Sequence, residues 1–155
     1  MTGPAPQSLI VGYDGSEPAR AAVEYAADRI GPGGRIYIVH ATGPLATWLG
    51  APDEMLVTED RAGHGRAVLD DLILEAGNAL IDTDYELVLV PGPAAEALVH
   101  TAKRHEADEI VLGSRGEGRL GSLLGSVAQQ VLHTADRPVV VIPWLAVRER
   151  AMGLS

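Results

Sequence analysis

The 155-residue sequence predicts an α/β fold: an open, five-stranded parallel sheet in the order 3-2-1-4-5, Rossmann-like, with helices on both faces. Three observations carry this expectation. Five short apolar runs stand out, three of them nearly continuous in Val, Ile and Leu, as in strands covered on both faces. Segments with helical spacing separate the runs, and such alternation favours parallel strands joined by helical crossovers. Stretches of unusual chemistry leave the C-terminal ends of three strands, where open parallel sheets bind ligands.

The first run, LIVGY (9–13), leads through Asp14-Gly15-Ser16 into a helix. Ser16 is its candidate cap, Ala19, Val23, Ala26 and Ile30 share one face, and Gly31-Pro32-Gly33-Gly34 ends it. The second run, IYIVH (36–40), is followed by an irregular segment, TGPLATWLGAPDEMLV (42–57). A second helical stripe joins Val68, Leu69, Leu72, Ile73, Ala76 and Leu80. The third run is YELVLV (85–90), and Pro93 suits the first turn of a helix carrying Ala95, Leu98, Val99 and Ala102. EIVLG (109–113) is the fourth run. Val127, Ala128, Val131, Leu132 and Ala135 form the last stripe, ahead of PVVVIP (138–143). Neither an internal repeat nor a long linker divides the chain, so residues 1–155 read as one domain, with a core over 8–143 and a tail over 144–155.

Composition narrows the function. Hydrophobic residues make up 46% and charged residues 21% of the chain, which is ordinary for a globular domain. No apolar run approaches the ~20 residues of a membrane helix. MTGPAPQSLIVGYDG lacks the basic and apolar regions of a secretion signal. With no cysteine, disulfides, thiolate metal sites and cysteine nucleophiles are excluded, and a cytoplasmic location is expected. The net charge is −9, with Lys103 the single lysine beside eleven arginines. That balance argues against nucleic acid and anionic membranes as partners. The five histidines show no metal-ligand pairing with acids.

The densest chemistry lies in GSRGEGRLGSLLGSVAQQ (113–130), which has five glycines and three serines in its first fourteen residues. It lacks the lysine of a G-x-x-x-x-G-K-[ST] phosphate loop. Gly116 to Gly121 spell G-x-G-x-x-G, but after the fourth strand rather than the first, and Asp136 precedes the next strand instead of ending it. The match to a dinucleotide fingerprint is therefore coincidental. Gly125 and Ser126 stand at a helix start, where backbone N–H groups and the helix dipole favour phosphate. Arg115 and Arg119 either balance phosphate charge there or stand as solvated loop arginines.

Read whole, the stretch resembles the nucleotide-binding branch of the universal stress protein family, whose signature here is G-x2-G-x9-G-[ST]. IVGYDGSEPARAAVEYA, PGPAAEALVHTAKRHEADEIVLGSRG and GSVAQQVLHTADRPVVVIP extend the resemblance over nearly the full chain. One departure stands out: eight residues, not nine, separate Gly116 from Gly125. The resemblance implies ATP as ligand, with Gly12 and Asp14 at the nucleoside and the Ala41 backbone at adenine. It also implies Gly113, Arg115, Gly116, Gly125, Ser126 and Val127 around the phosphates, with Mg²⁺ completing the charge balance. The apolar last strand, Val139, Val140, Val141 and Ile142, falls at a sheet edge and invites pairing, and the family resemblance likewise implies a homodimer through it. The role expected is a nucleotide-responsive regulatory module in stress adaptation. Without a phosphate-loop lysine or a placed general base, a dedicated enzyme is not expected. Slow ATP hydrolysis or phosphoryl transfer, and a protein-interaction module without nucleotide, are the alternatives.

Overall fold

The computed structural model describes residues 3–42, 54–114, 124–143 and 153, with 54–62 as backbone alone. Five strands, β1 (Ser8–Gly12), β2 (Arg35–Ala41), β3 (Asp84–Val90), β4 (Glu109–Gly113) and β5 (Val139–Ile142), alternate with helices. The helices are α1 (Glu17–Arg29), α2 (Glu54–Ala76), α3 (Ala94–Arg104) and α4 (Ser126–Thr134), with a short 3₁₀ turn, Gly77–Leu80, after α2. The strands run parallel in the order β3-β2-β1-β4-β5, as the sequence predicts. β1 lies centrally, pairing Ile10 with Tyr37 of β2 and with Ile110 of β4.

The continuous apolar runs have a direct physical cause. Successive side chains point to opposite faces, so Leu9, Ile10 and Val11 are all fully buried only because both faces are covered. Leu9, Val11, Ile36 and Ile38 meet Ala22, Val23 and Ala26 of α1 and Leu69 and Leu72 of α2. Ile10, Ile110 and Leu112 face Leu98, Val99 and Ala102 of α3 and Ala128 and Val131 of α4. Each such large side chain contributes roughly 1.5–3 kcal/mol by leaving water.

The helix boundaries follow local chemistry. Ser16 caps α1, its Oγ accepting the Ala19 N–H at 3.3 Å. At the other end Gly33, at φ 78°, turns the chain into β2. Pro93, expected inside the first turn of α3, is instead its cap residue, and its carbonyl accepts the Ala97 N–H at 3.0 Å. The segment 42–57, expected to be irregular, is already helical from Glu54, while residues 43–53 lie outside those described. Two stripe residues leave the core: Ile73 is 36% and Leu132 48% exposed. Each follows a better-centred neighbour, Leu72 and Val131, and a step of about 100° turns it off the buried face.

The two sheet edges differ. On β3, Asp84 and Glu86 are exposed and paired with Arg35 at 2.9 and 3.8 Å, a charged edge of the kind that discourages strand addition. On β5, Val139, Val140, Val141 and Ile142 are only partly buried. Of the tail expected at 144–155, only residue 153 is described.

Candidate functional site

A crevice of about 340 Å³ opens across the C-terminal ends of β2, β1 and β4. The topology creates it: β1 leads towards one side of the sheet and β4 towards the other, so the crossovers leaving these neighbours diverge. Gly12, Asp14, Ala41, Gly113, Gly125, Ser126 and Val127 all line it. The structure therefore brings together seven of the nine residues singled out in the sequence. Arg115 and Gly116 lie outside the described residues.

At one end, the turn after β1 is locked by its own side chains. The Ser16 N–H donates to Asp14 Oδ1 at 3.0 Å, an Asx turn. Gly15, at φ 86°, takes a conformation that side chains disfavour. Asp14 is exposed, and a carboxylate there can accept hydroxyl donors while its Oδ1 holds the turn. Beside it, the Tyr13 N–H donates to the Val39 carbonyl at 2.9 Å. His40 Nδ1–H donates to the Tyr13 carbonyl at 2.8 Å, so a neutral His40 ring carries its lone pair on Nε2. Tyr13 is 4% exposed, and burial pushes its phenol above the ordinary value of 10.0, with the nearby Arg20 charge opposing.

At the other end stands the start of α4. Its cap residue is Gly125, which has no side chain to cap the helix. The first intrahelical bond is from Gln129 N–H to the Gly125 carbonyl at 3.1 Å. The N–H groups of Ser126, Val127 and Ala128 precede that bond, and all three residues line the crevice. No acidic residue lies in this first turn. The Gly125 N–H donates to the Ser114 carbonyl at 2.6 Å, and the Ser114 N–H donates to the Ile142 carbonyl at 2.8 Å. The loop between β4 and α4 thus begins and ends at one spot, fixed to β5.

Gly113 has a structural reason of its own. A Cβ there would meet Pro18 Cβ at 2.6 Å, the Pro18 carbonyl carbon at 2.9 Å and the Ala19 nitrogen at 3.2 Å. Glycine lets the first turn of α1 lie directly against the end of β4. The crevice also has walls that the sequence reading did not assign to the site: Tyr13, His40, Ser114, and Ala94 and Leu98 of α3. Tyr13 and His40 close the first and second apolar runs, LIVGY and IYIVH, whereas nothing local marks Ala94 or Leu98 for the site.

Comparison with known proteins agrees with this geometry. The universal stress protein family model matches residues 6–143. A universal stress protein of Thermus aquaticus is 34% identical over 138 residues, covering 88% of this chain and 98% of that protein. Universal stress protein Rv2623 of Mycobacterium tuberculosis is 36% identical over 154 residues, and the match spans 91% of this chain but 49% of that longer protein. Among solved structures, the hypothetical protein MJ0577 superposes with a TM-score of 0.75 at 20% identity, covering 90% of this chain and 96% of that one. A universal stress protein in complex with cAMP gives a TM-score of 0.57 at 27% identity, covering 90% and 98%. One from Archaeoglobus fulgidus, in complex with dAMP, gives 0.64 at 22% identity, covering 90% and 99%. Sheet order, the crevice at the β1/β4 divergence and the family match over nearly the whole chain lead to one conclusion: the chain belongs to the universal stress protein family.

Proposed function

We propose that this chain is a single-domain ATP receptor, a nucleotide-responsive regulatory module in stress adaptation rather than a dedicated enzyme. The observation that carries the reading is the uncapped, acid-free start of α4 at one end of the crevice, opposite Asp14 and Ala41 at the other. Gly12, Asp14 and the Ala41 backbone take the nucleoside. Gly113, Arg115, Gly116, Gly125, Ser126 and Val127 surround the phosphates, with N–H donors favoured by the helix dipole. A volume of about 340 Å³ suits a ligand of this class, since small-molecule pockets run from roughly 300 to 1,000 Å³. The universal stress protein that binds cAMP supports an adenine nucleotide as the occupant.

Charge requires a counterion. The chain carries −9, and the triphosphate adds several more negative charges. Asp14 is the carboxylate among the described lining residues, and it stands at the nucleoside end. Mg²⁺ would therefore arrive with the nucleotide, held by phosphate oxygens and its own waters, as this ion commonly is, and would supply charge neutralisation there. In the assembled protein, β5 pairs with its copy across the apolar edge Val139–Ile142, in the cytoplasm.

Calorimetric titration with ATP, adenosine and inorganic tripolyphosphate, each with and without Mg²⁺, tests the reading. ATP is expected to bind more tightly than either fragment, because it engages both ends of the crevice. No heat at millimolar ATP under either condition sinks the proposal. The eight-residue spacing between Gly116 and Gly125 favours, as a second reading, a protein-interaction module without nucleotide, and that same null result would leave it standing.

A further inference from the structure

The turn that carries Asp14 is held from outside the crevice by a side chain with no part in the sequence signature. Arg20, on the second turn of α1, reaches back with one guanidinium nitrogen to the Gly15 carbonyl at 3.3 Å. Its other terminal nitrogen bonds Glu75 Oε2, near the C-terminal end of α2, also at 3.3 Å. The Arg20 side chain is 35% exposed and that of Glu75 58%. Among the described residues the Arg20 Nε, enclosed by protein, has no hydrogen-bond partner, so this part of the guanidinium is turned away from solvent. An ion pair this exposed contributes little to global stability. Its placement matters more: one bond falls on the Gly15–Ser16 peptide, whose N–H donates to Asp14, at the left-handed Gly15.

We infer that Arg20 is a positioning residue for the nucleoside end of the crevice, fixing the Asp14 turn against α2 through Gly15 and Glu75. The inference rests on the nucleotide reading above and adds to it a residue and a direction of control. α2 packs on the same face of the sheet as α1, with Leu69 and Leu72 in the shared core. Anything that displaces the C-terminal end of α2 pulls on Glu75, then on Arg20, then on the carbonyl that shapes the Asp14 turn. The α4 amides do not belong to this chain of contacts.

That separation makes the test specific. In Arg20→Ala, adenosine and ATP are expected to bind about 10-fold more weakly by the same factor, the scale of one lost hydrogen bond, while tripolyphosphate binding is unchanged. Arg20→Lys keeps a cation for Glu75 with a single head group and recovers part of the loss. A merely structural role would weaken all three ligands together, and that pattern overturns the inference. Equal adenosine affinity in the wild type and Arg20→Ala also overturns it. Hydrogen exchange on the nucleotide-free protein supplies a readout independent of any ligand. The Ser16 amide is expected to exchange about 10-fold faster in Arg20→Ala, with Ile10 and Ile110 amides unaltered. If the wild type binds no nucleotide, the functional proposal fails alone, and unchanged Ser16 protection in the variant is then what overturns the positioning role.

Discussion

Among the helices that begin beside the crevice, α1 and α4 begin in opposite ways. α1 satisfies itself: Ser16 Oγ takes the Ala19 N–H, Asp14 takes the Ser16 N–H, and Glu17 sets a negative charge in the first turn. α4 does none of this. Its cap is a glycine, its first turn holds no acid, and Ser126, Val127 and Ala128 turn towards the cavity. A capped start contributes to stability and has little left to offer an anion. An uncapped start forgoes that contribution and keeps its donors available. The difference teaches that, in this fold, the helix worst finished by its own sequence is the one to examine for a ligand.

The contact between the start of α1 and the end of β4 gives the largest expected effect. Gly113→Val drives a branched side chain into Pro18 and Ala19, separating α1 from the end of β4. A loss of about 3 kcal/mol is expected, a fall in Tm of roughly 10 °C for a chain of this size, read by calorimetric melting. An unchanged Tm would show that α1 is not seated on Gly113. The second effect falls on α4 alone. Ser126→Pro places proline at the first helical position, where it is well tolerated. Gly125, at φ −71° and ψ 165°, already has the extended backbone that precedes proline. The variant should melt with the wild type yet bind ATP roughly 30-fold more weakly, since it loses an N–H and a hydroxyl near charged phosphate. Full ATP affinity would remove Ser126 from the site.

The reciprocal change at α1 is smaller. Ser16→Ala strips the cap and should cost about 1 kcal/mol, visible as a shift in the denaturant midpoint, with tripolyphosphate affinity unaltered. A strong loss of tripolyphosphate binding would mean that both helix starts serve the phosphates, and the contrast would fall. The smallest effect appears only in alkali. Burial raises the Tyr13 phenol above 10.0, so its contribution to stability is fully present below pH 10 and is lost as pH rises through the higher folded value. Tyr13→Phe should therefore flatten the decline in stability above about pH 10, measured by denaturant melts across pH 9 to 12, an order-of-magnitude window set by the tyrosine range. An identical alkaline decline in the variant would assign it to other groups.

Much of the fold was legible because burial writes itself into composition. Leu9-Ile10-Val11 and Ile110-Val111-Leu112 read as doubly covered strands, and they are. Ser16 and the glycines at 31–34 marked the ends of α1. What stayed hidden depends on contacts distant in sequence. The start of α2 at Glu54 falls in a segment without a clear apolar stripe. Leu132 fits a helical stripe as well as Val131 does, and only the packing chooses between them. In the site, Gly113 was legible as a special glycine, but its neighbours Pro18 and Ala19 were not, because they lie about a hundred positions away in the chain. Nothing in the sequence singles out Arg20, and its tie to Glu75 spans 55 positions.

The bond between Ser114 and Gly125 has a consequence for how this family can tolerate insertion and deletion. Those two residues act as gateposts: Ser114 is fixed to Ile142 of β5, and Gly125 is fixed to Ser114. Ser114 takes its place from the sheet and Gly125 takes its place from Ser114, not from the count of residues strung between them. A deletion in that span therefore changes the thread and not the frame. The chain can lose a residue from the middle of its most recognisable motif while the start of α4 remains aimed at the same point.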